Sequence, residues 1–151
     1  MARRSRAATD TLAQAETLKE LLDNFLELVE TSELREQVRS LVPAVYGLRD
    51  LGSGLVPSSG KEAARDRILA YLRRYPKTLI DGDELMVVSG IGEWARRVRE
   101  LRVQFGWTIY TGVTIKELAL DQSESSTAFQ AETGIDPSTI KTNQYILMRE
   151  N

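Results

Sequence analysis

The chain has 151 residues, 42% apolar and 28% charged, with a formal net charge of −2, a make-up that suits one globular domain or a small domain with a helical appendage. It contains no His and no Cys, which removes disulfides, Cys/His zinc sites and a histidine general base from consideration. No apolar run approaches the roughly 18 residues of a membrane span, and Arg3, Arg4 and Arg6 have no apolar stretch behind them, so a cytoplasmic protein without a secretory signal is expected.

The distribution of charge says more than its sum. Residues 61–107 carry 10 Lys/Arg against 7 Asp/Glu, whereas the segments on either side are net acidic. Screening acts over about 8–10 Å, so this basic middle is what a polyanion would meet.

Residues 1–10 read as a disordered basic arm. Residues 11–52 read as a helical packing or dimerisation segment. In its first helix, Thr11 to Glu30, Leu18, Leu21, Phe25 and Leu28 recur every three or four residues, widened by Leu22, Leu26 and Val29. Thr31-Ser32 is placed to cap a second helix whose stripe is Leu34, Val38, Leu41, Val45 and Leu48, with Pro43 as a kink or interruption. Two helices in some 40 residues cannot bury a self-sufficient core. They pack on the rest of the chain or on a second copy, and a homodimer through these helices is expected.

Residues 53–60, rich in Gly, Ser and Pro, read as a linker. Gly60-Lys61 brings a phosphate loop to mind, but five residues separate Gly54 from Gly60 and Glu62 stands where a Mg²⁺-binding hydroxyl belongs.

Residues 61–151 read as a winged helix-turn-helix. A helix from Lys61 to Tyr75 carries Ala64, Ile68, Leu72 and Tyr75 on one stripe and stops at Pro76. Thr78 to Ile80 is a short strand. Asp81, with Glu84 three residues on, opens a short helix to about Val88. Ser89-Gly90 breaks it, and a second helix runs from Ile91 to Phe105. Short helix, glycine turn and longer helix are the grammar of a helix-turn-helix. Strands are expected at Trp107 to Tyr110 and Gln144 to Met148. Between them lie a short helix near Ile115 to Leu120 and a polar stretch from Gln122 to Thr127. The fold class is thus mainly α with a small β-wing, a helical pair preceding the winged helix.

On the long helix Ile91, Trp94, Val98, Leu101 and Phe105 share the core-facing side, and Arg96 lies opposite. Gly92, Glu93, Arg99, Glu100 and Val103 share the outer half, with Arg97 and Arg102 on the flanks. A recognition helix needs this apolar back and polar front, and an arginine fork can meet two acceptors on guanine. Arg96 and Arg99 are assigned to base reading, with Glu93 a reader of a cytosine amino group or an orienter of Arg97. Arg102, Lys61, Arg73, Arg74 and Lys77 are assigned to phosphate, and Ser89 to the turn beside the duplex. The bland alternative is a solvated face laced with Glu–Arg pairs such as Glu93–Arg97. No catalytic residue, metal, cofactor or small-molecule substrate is expected, since no Asp/Glu cluster looks like a Mg²⁺ site.

The segments Ala64 to Leu72, Ile80 to Leu85 and Ser89 to Arg102, with the Gly106-Trp107 step and the strand from Tyr145 to Met148, resemble the winged-helix region upstream of HNH nuclease domains in bacterial restriction endonucleases. The helical segment from Leu18 to Leu51 is also similar to the start of such proteins. The resemblance implies the targeting half of a nuclease, acting on double-stranded DNA, with base modification read or ignored. An HNH site needs histidines and this chain has none, so the chain itself is expected to be no enzyme. A free-standing transcriptional regulator and a winged-helix protein-interaction module remain as alternatives.

Overall fold

The computed structural model describes residues 2–58, 62–90, 92–121 and 124–149. The chain divides into two compact units, Met1–Pro57 and Ser58–Asn151. The break falls within the segment read as a linker.

The first unit is a helical hairpin of α1 (Ala2–Leu28) and α2 (Leu34–Gly54). Helix α1 starts inside the segment expected to be a disordered arm, where Ala2, Arg3, Arg4, Ala7 and Ala8 all favour helix. Helix α2 begins after Glu33 rather than at Thr31-Ser32, because both hydroxyls turn back to bond carbonyls of α1, Thr31 to Glu27 and Ser32 to Leu28. It runs through Pro43 and takes in Gly52-Ser53-Gly54, the start of the expected linker. The two helices pack through small residues on α2. Ala44 and Gly52 are buried, and a side chain at Gly47 would meet Leu18 and Leu21 at 3.6 and 3.8 Å.

The second unit holds α3 (Ala63–Arg74), β1 (Ile80–Asp81), α4 (Gly82–Ser89), α5 (Trp94–Val103), β2 (Thr108–Thr111), α6 (Gly112–Asp121), α7 (Glu124–Thr133), a 3-10 turn (Pro137–Thr139) and β3 (Gln144–Arg149). The strands form one antiparallel sheet in the order β1-β3-β2. Ile80 pairs with Tyr145, and Thr111 also pairs with Tyr145 from the other side. The helical make-up with a small sheet agrees with the expected class, and residues 124–127 of the polar stretch begin α7. Polar side chains do not bar a helix when one face, here Phe129, is buried.

Alternation along β3 sends Ile146 and Met148 to one face of the sheet and Tyr145 and Leu147 to the other. Ile146 and Met148 join Ile115 of α6, Phe129 of α7 and Ile140 in one cluster. Ile68, Leu72, Leu85, Val88, Val98 and Leu101 bury the inner sides of α3, α4 and α5. Helices therefore cover the sheet on two sides, which is why β3 reads as a continuous apolar run.

Two glycines are required by close approach. A Cβ on Gly82 would stand 2.4 Å from the Trp94 ring, and one on Gly112 would stand 1.9 Å from the Lys141 carbonyl oxygen. Among the described residues, no helix is long and apolar enough to cross a membrane.

Candidate nucleic-acid interface

Helix α4, which precedes the turn into α5, is held at both ends. Glu84 accepts from the Asp81 amide at 2.7 Å, closing the capping box that starts α4. Gly90 adopts the left-handed region, φ 70°, and its amide returns to the Met86 carbonyl. Arg67 of α3 reaches across and donates to the carbonyls of Val88 and Ser89, satisfying the open end of α4. Burial holds the Arg67 guanidinium below its ordinary pKa, an effect that neighbouring Asp66 opposes. Arg67 is a positioning residue that the sequence reading did not single out, since an arginine on a helix flank looks like any solvated charge.

Helix α5 then presents three sides. Val98 and Leu101 are buried, and Trp94 stands edge-on to Tyr145 at 5.7 Å. Phe105 is a correction to the expected core stripe: it is exposed, because α5 ends at Val103 and the last turn no longer carries it inward. Arg65 of α3 covers its ring at 4.3 Å. Ile91 and Lys61, named in the sequence reading, lie outside the described residues.

The side toward α3 is a charge network centred on Glu100. Arg97 lies 3.0 and 3.1 Å from its two carboxylate oxygens, Arg65 at 3.4 Å and Arg96 at 3.6 Å. Burial alone would raise the Glu100 carboxyl, but the hydrogen bonds and charges of Arg97 and Arg65 win and hold it below the ordinary range. Arg96 also pairs with Glu93 at 3.7 Å, and Arg97 approaches Glu62 at 4.0 Å. The pairs formed by Glu93 and Arg97 thus run to Arg96 and Glu100 rather than to each other.

The side toward the sheet carries Arg99 and Arg102. Arg102 donates Nε to the Ile109 carbonyl at 3.0 Å, which ties α5 to β2. Burial raises the Tyr145 hydroxyl, opposed by the charges of Arg102 and Arg99 nearby. Arg99 is exposed and makes no ion pair among the described residues. Gly92 and Glu93 are exposed at the start of the helix.

The remaining residues of the expected interface are scattered. Ser89 is fully buried, with its hydroxyl on the Met86 carbonyl at 3.1 Å, so it is a strut of the turn, out of reach of a ligand. Arg73 and Arg74 are exposed at the end of α3, over the rings of Trp107 and Tyr75. Lys77 pairs with Glu132 of α7 at 3.4 Å while its amide bonds the Leu147 carbonyl.

A family model described as the KpnI N-terminal domain matches residues 65–148, more than half of the chain. The match runs from α3 to β3. No curated protein and no solved structure matches.

Proposed function

Because the chain belongs to the KpnI N-terminal domain family, a family of restriction endonucleases, we propose that its second unit is a winged helix-turn-helix that binds double-stranded DNA and aims a nuclease activity carried elsewhere. The observation that carries the reading is α5. It is the second helix of a helix–turn–helix, leads directly into the sheet, and holds its exposed arginines on the side away from the core. The order α3, β1, α4, α5, β2, β3 with β3 between the other two strands also supports it. In this reading α6, α7 and the 3-10 turn occupy the place of a simple wing loop.

Arg99 is the foremost base reader, since it is exposed and makes no ion pair among the described residues. Arg96 must exchange Glu93 and Glu100 for the groove, and Arg73 and Arg74 meet phosphate. The catalytic step, of HNH type by the resemblance, belongs outside this chain, and binding follows the two-fold symmetry of a dimer.

A fluorescence-anisotropy titration of duplex DNA at rising salt tests this. Each phosphate neutralised contributes about −0.9 to the slope of log K against log salt, so a slope of several units is expected. Affinity that does not change between about 50 and 200 mM salt overturns the reading. The neutralisation of Arg96 and Arg97 by Glu93 and Glu100 favours the alternative, a protein-interaction module, and a flat salt response would select it.

A further inference from the structure

We infer that the N-terminal hairpin is half of a four-helix bundle completed by a second copy of this chain, with α1 of one copy lying against α2 of the other. The inference stands on the first unit alone and is independent of DNA binding.

Each helix carries two apolar stripes in heptad spacing, and the hairpin uses only one of them. On α1, Leu18, Leu21, Phe25 and Leu28 are half-buried against α2. Leu12, Leu22, Leu26 and Val29 form a second stripe and stay exposed, Leu26 by 64%. On α2, Gly47 lies against Leu18 and Leu21 of α1 and Ala44 is buried. Leu34, Val38, Val45 and Leu48 recur at intervals of four, seven and three residues on another side, with the half-buried Leu41 between them, and Leu34, Val45 and Leu48 are 74%, 64% and 60% exposed. Among the described residues, Ala44 is the one apolar side chain of this unit that is buried. Double stripes of this kind are what a helix needs when it has two helical neighbours rather than one.

Charge identifies the occupant. The far edge of the exposed α1 stripe is lined one heptad apart by Glu16 and Asp23, with Glu30 in the turn that follows the helix and Lys19 standing between Leu12 and Leu26 in the stripe itself. The far edge of the α2 stripe is lined at the same interval by Arg35, Val42 and Arg49. Glu16 and Asp23 thus mark one rim and Arg35 and Arg49 the other, Arg49 lying 4.0 Å from its neighbour Asp50, and the two rims complement each other in sign. A two-fold axis running along the bundle sets α1 against α2 of the second copy and brings acidic rim to basic rim on both sides. An axis across the bundle would set α1 against α1 and acid against acid.

Sedimentation equilibrium of the full chain from about 1 to about 100 µM should give the mass of two chains. Val45→Glu with Leu48→Glu should give one. Because that pair could simply unfold the hairpin, a rim exchange completes the test. A chain with Arg35→Glu and Arg49→Glu, and a second with Glu16→Lys and Asp23→Lys, should each self-associate at least about tenfold more weakly. Mixed in equal amounts they should recover most of the lost affinity as a heterodimer. A native chain that stays single at the top of the range, or a native dimer indifferent to the rim charges, or rim variants that do not rescue each other, overturns the inference.

Discussion

Arg97 and Glu100, one turn apart on α5, meet through two oxygens at 3.0 and 3.1 Å. Arg65 reaches the same carboxylate from α3. Through Arg65, Glu100 joins the helix proposed to read DNA to the helix that supports it.

Stability should therefore fall on acidification in a way that depends on Glu100. Its carboxyl is held below the ordinary value of 4.5 in the folded chain. The unfolded chain thus takes up the proton first, and the contribution is complete above that value and lost as pH falls below it. Urea midpoints for the native chain and Glu100→Gln should differ most at neutral pH and converge on going to acid. Parallel pH dependences would show that the network does not bear on folding.

Arg99→Ala should cost about 1–3 kcal/mol on the preferred duplex and much less on random DNA. Arg102→Ala should weaken both alike and also lower thermal stability, because its Nε anchors the Ile109 carbonyl. Matched binding titrations and melting curves separate the two. Equal losses of Arg99→Ala on both duplexes would make Arg99 a phosphate contact.

Gly82→Ala should destabilise the second unit by about 1–3 kcal/mol through overpacking, since its methyl would meet Trp94 at 2.4 Å. Gly112→Ala should cost more, because there the obstacle is the Lys141 backbone at 1.9 Å and not a side chain that can turn aside. Gly92→Ala meets nothing within 4 Å and serves as the control. Denaturant melts that rank Gly92→Ala with the other two would refute this packing.

Tyr71 donates to Glu84 at 2.6 Å, and this bond, followed by burial, pushes its hydroxyl up to about 12. The folded value lies above the ordinary 10, so the associated stability is complete below pH 10 and lost as pH rises through about 12. A tyrosinate absorbance titration should show a late component that Tyr71→Phe removes, while Tyr145, raised by burial, remains late. Loss of no late component in Tyr71→Phe would contradict the bond to Glu84.

The succession of α4 and α5 was readable because its punctuation is chemical: Asp81 and Glu84 at one end of α4 and Gly90 at the other. The strands were readable from their β-branched and aromatic residues. Phe105 was misplaced because a periodic pattern does not show where the last turn stops. Ser89 was misplaced because a polar residue in a turn looks exposed, and its burial depends on α3 lying alongside. The Glu100 network joins residues 35 positions apart, a distance over which local pattern is silent. One overlooked signal lay in Tyr145-Ile146-Leu147-Met148. An unbroken apolar strand needs cover on both faces, which the segment between β2 and β3 supplies.

The place of β3 governs the order in which this unit can be made. It is the last strand in sequence, yet it sits in the middle of the sheet, and the first two strands have no bond to each other. While the chain is still emerging from a ribosome, β1 and β2 have nothing to pair with until residues 144–149 arrive. The pairing of Ile80 with Tyr145 then closes across most of the unit at once, a long-range step of the kind that slows folding. Nascent chains arrested before Gln144 should accordingly be open to proteolysis around α4 and α5. Release of a few further residues should convert them to a resistant form in a single transition.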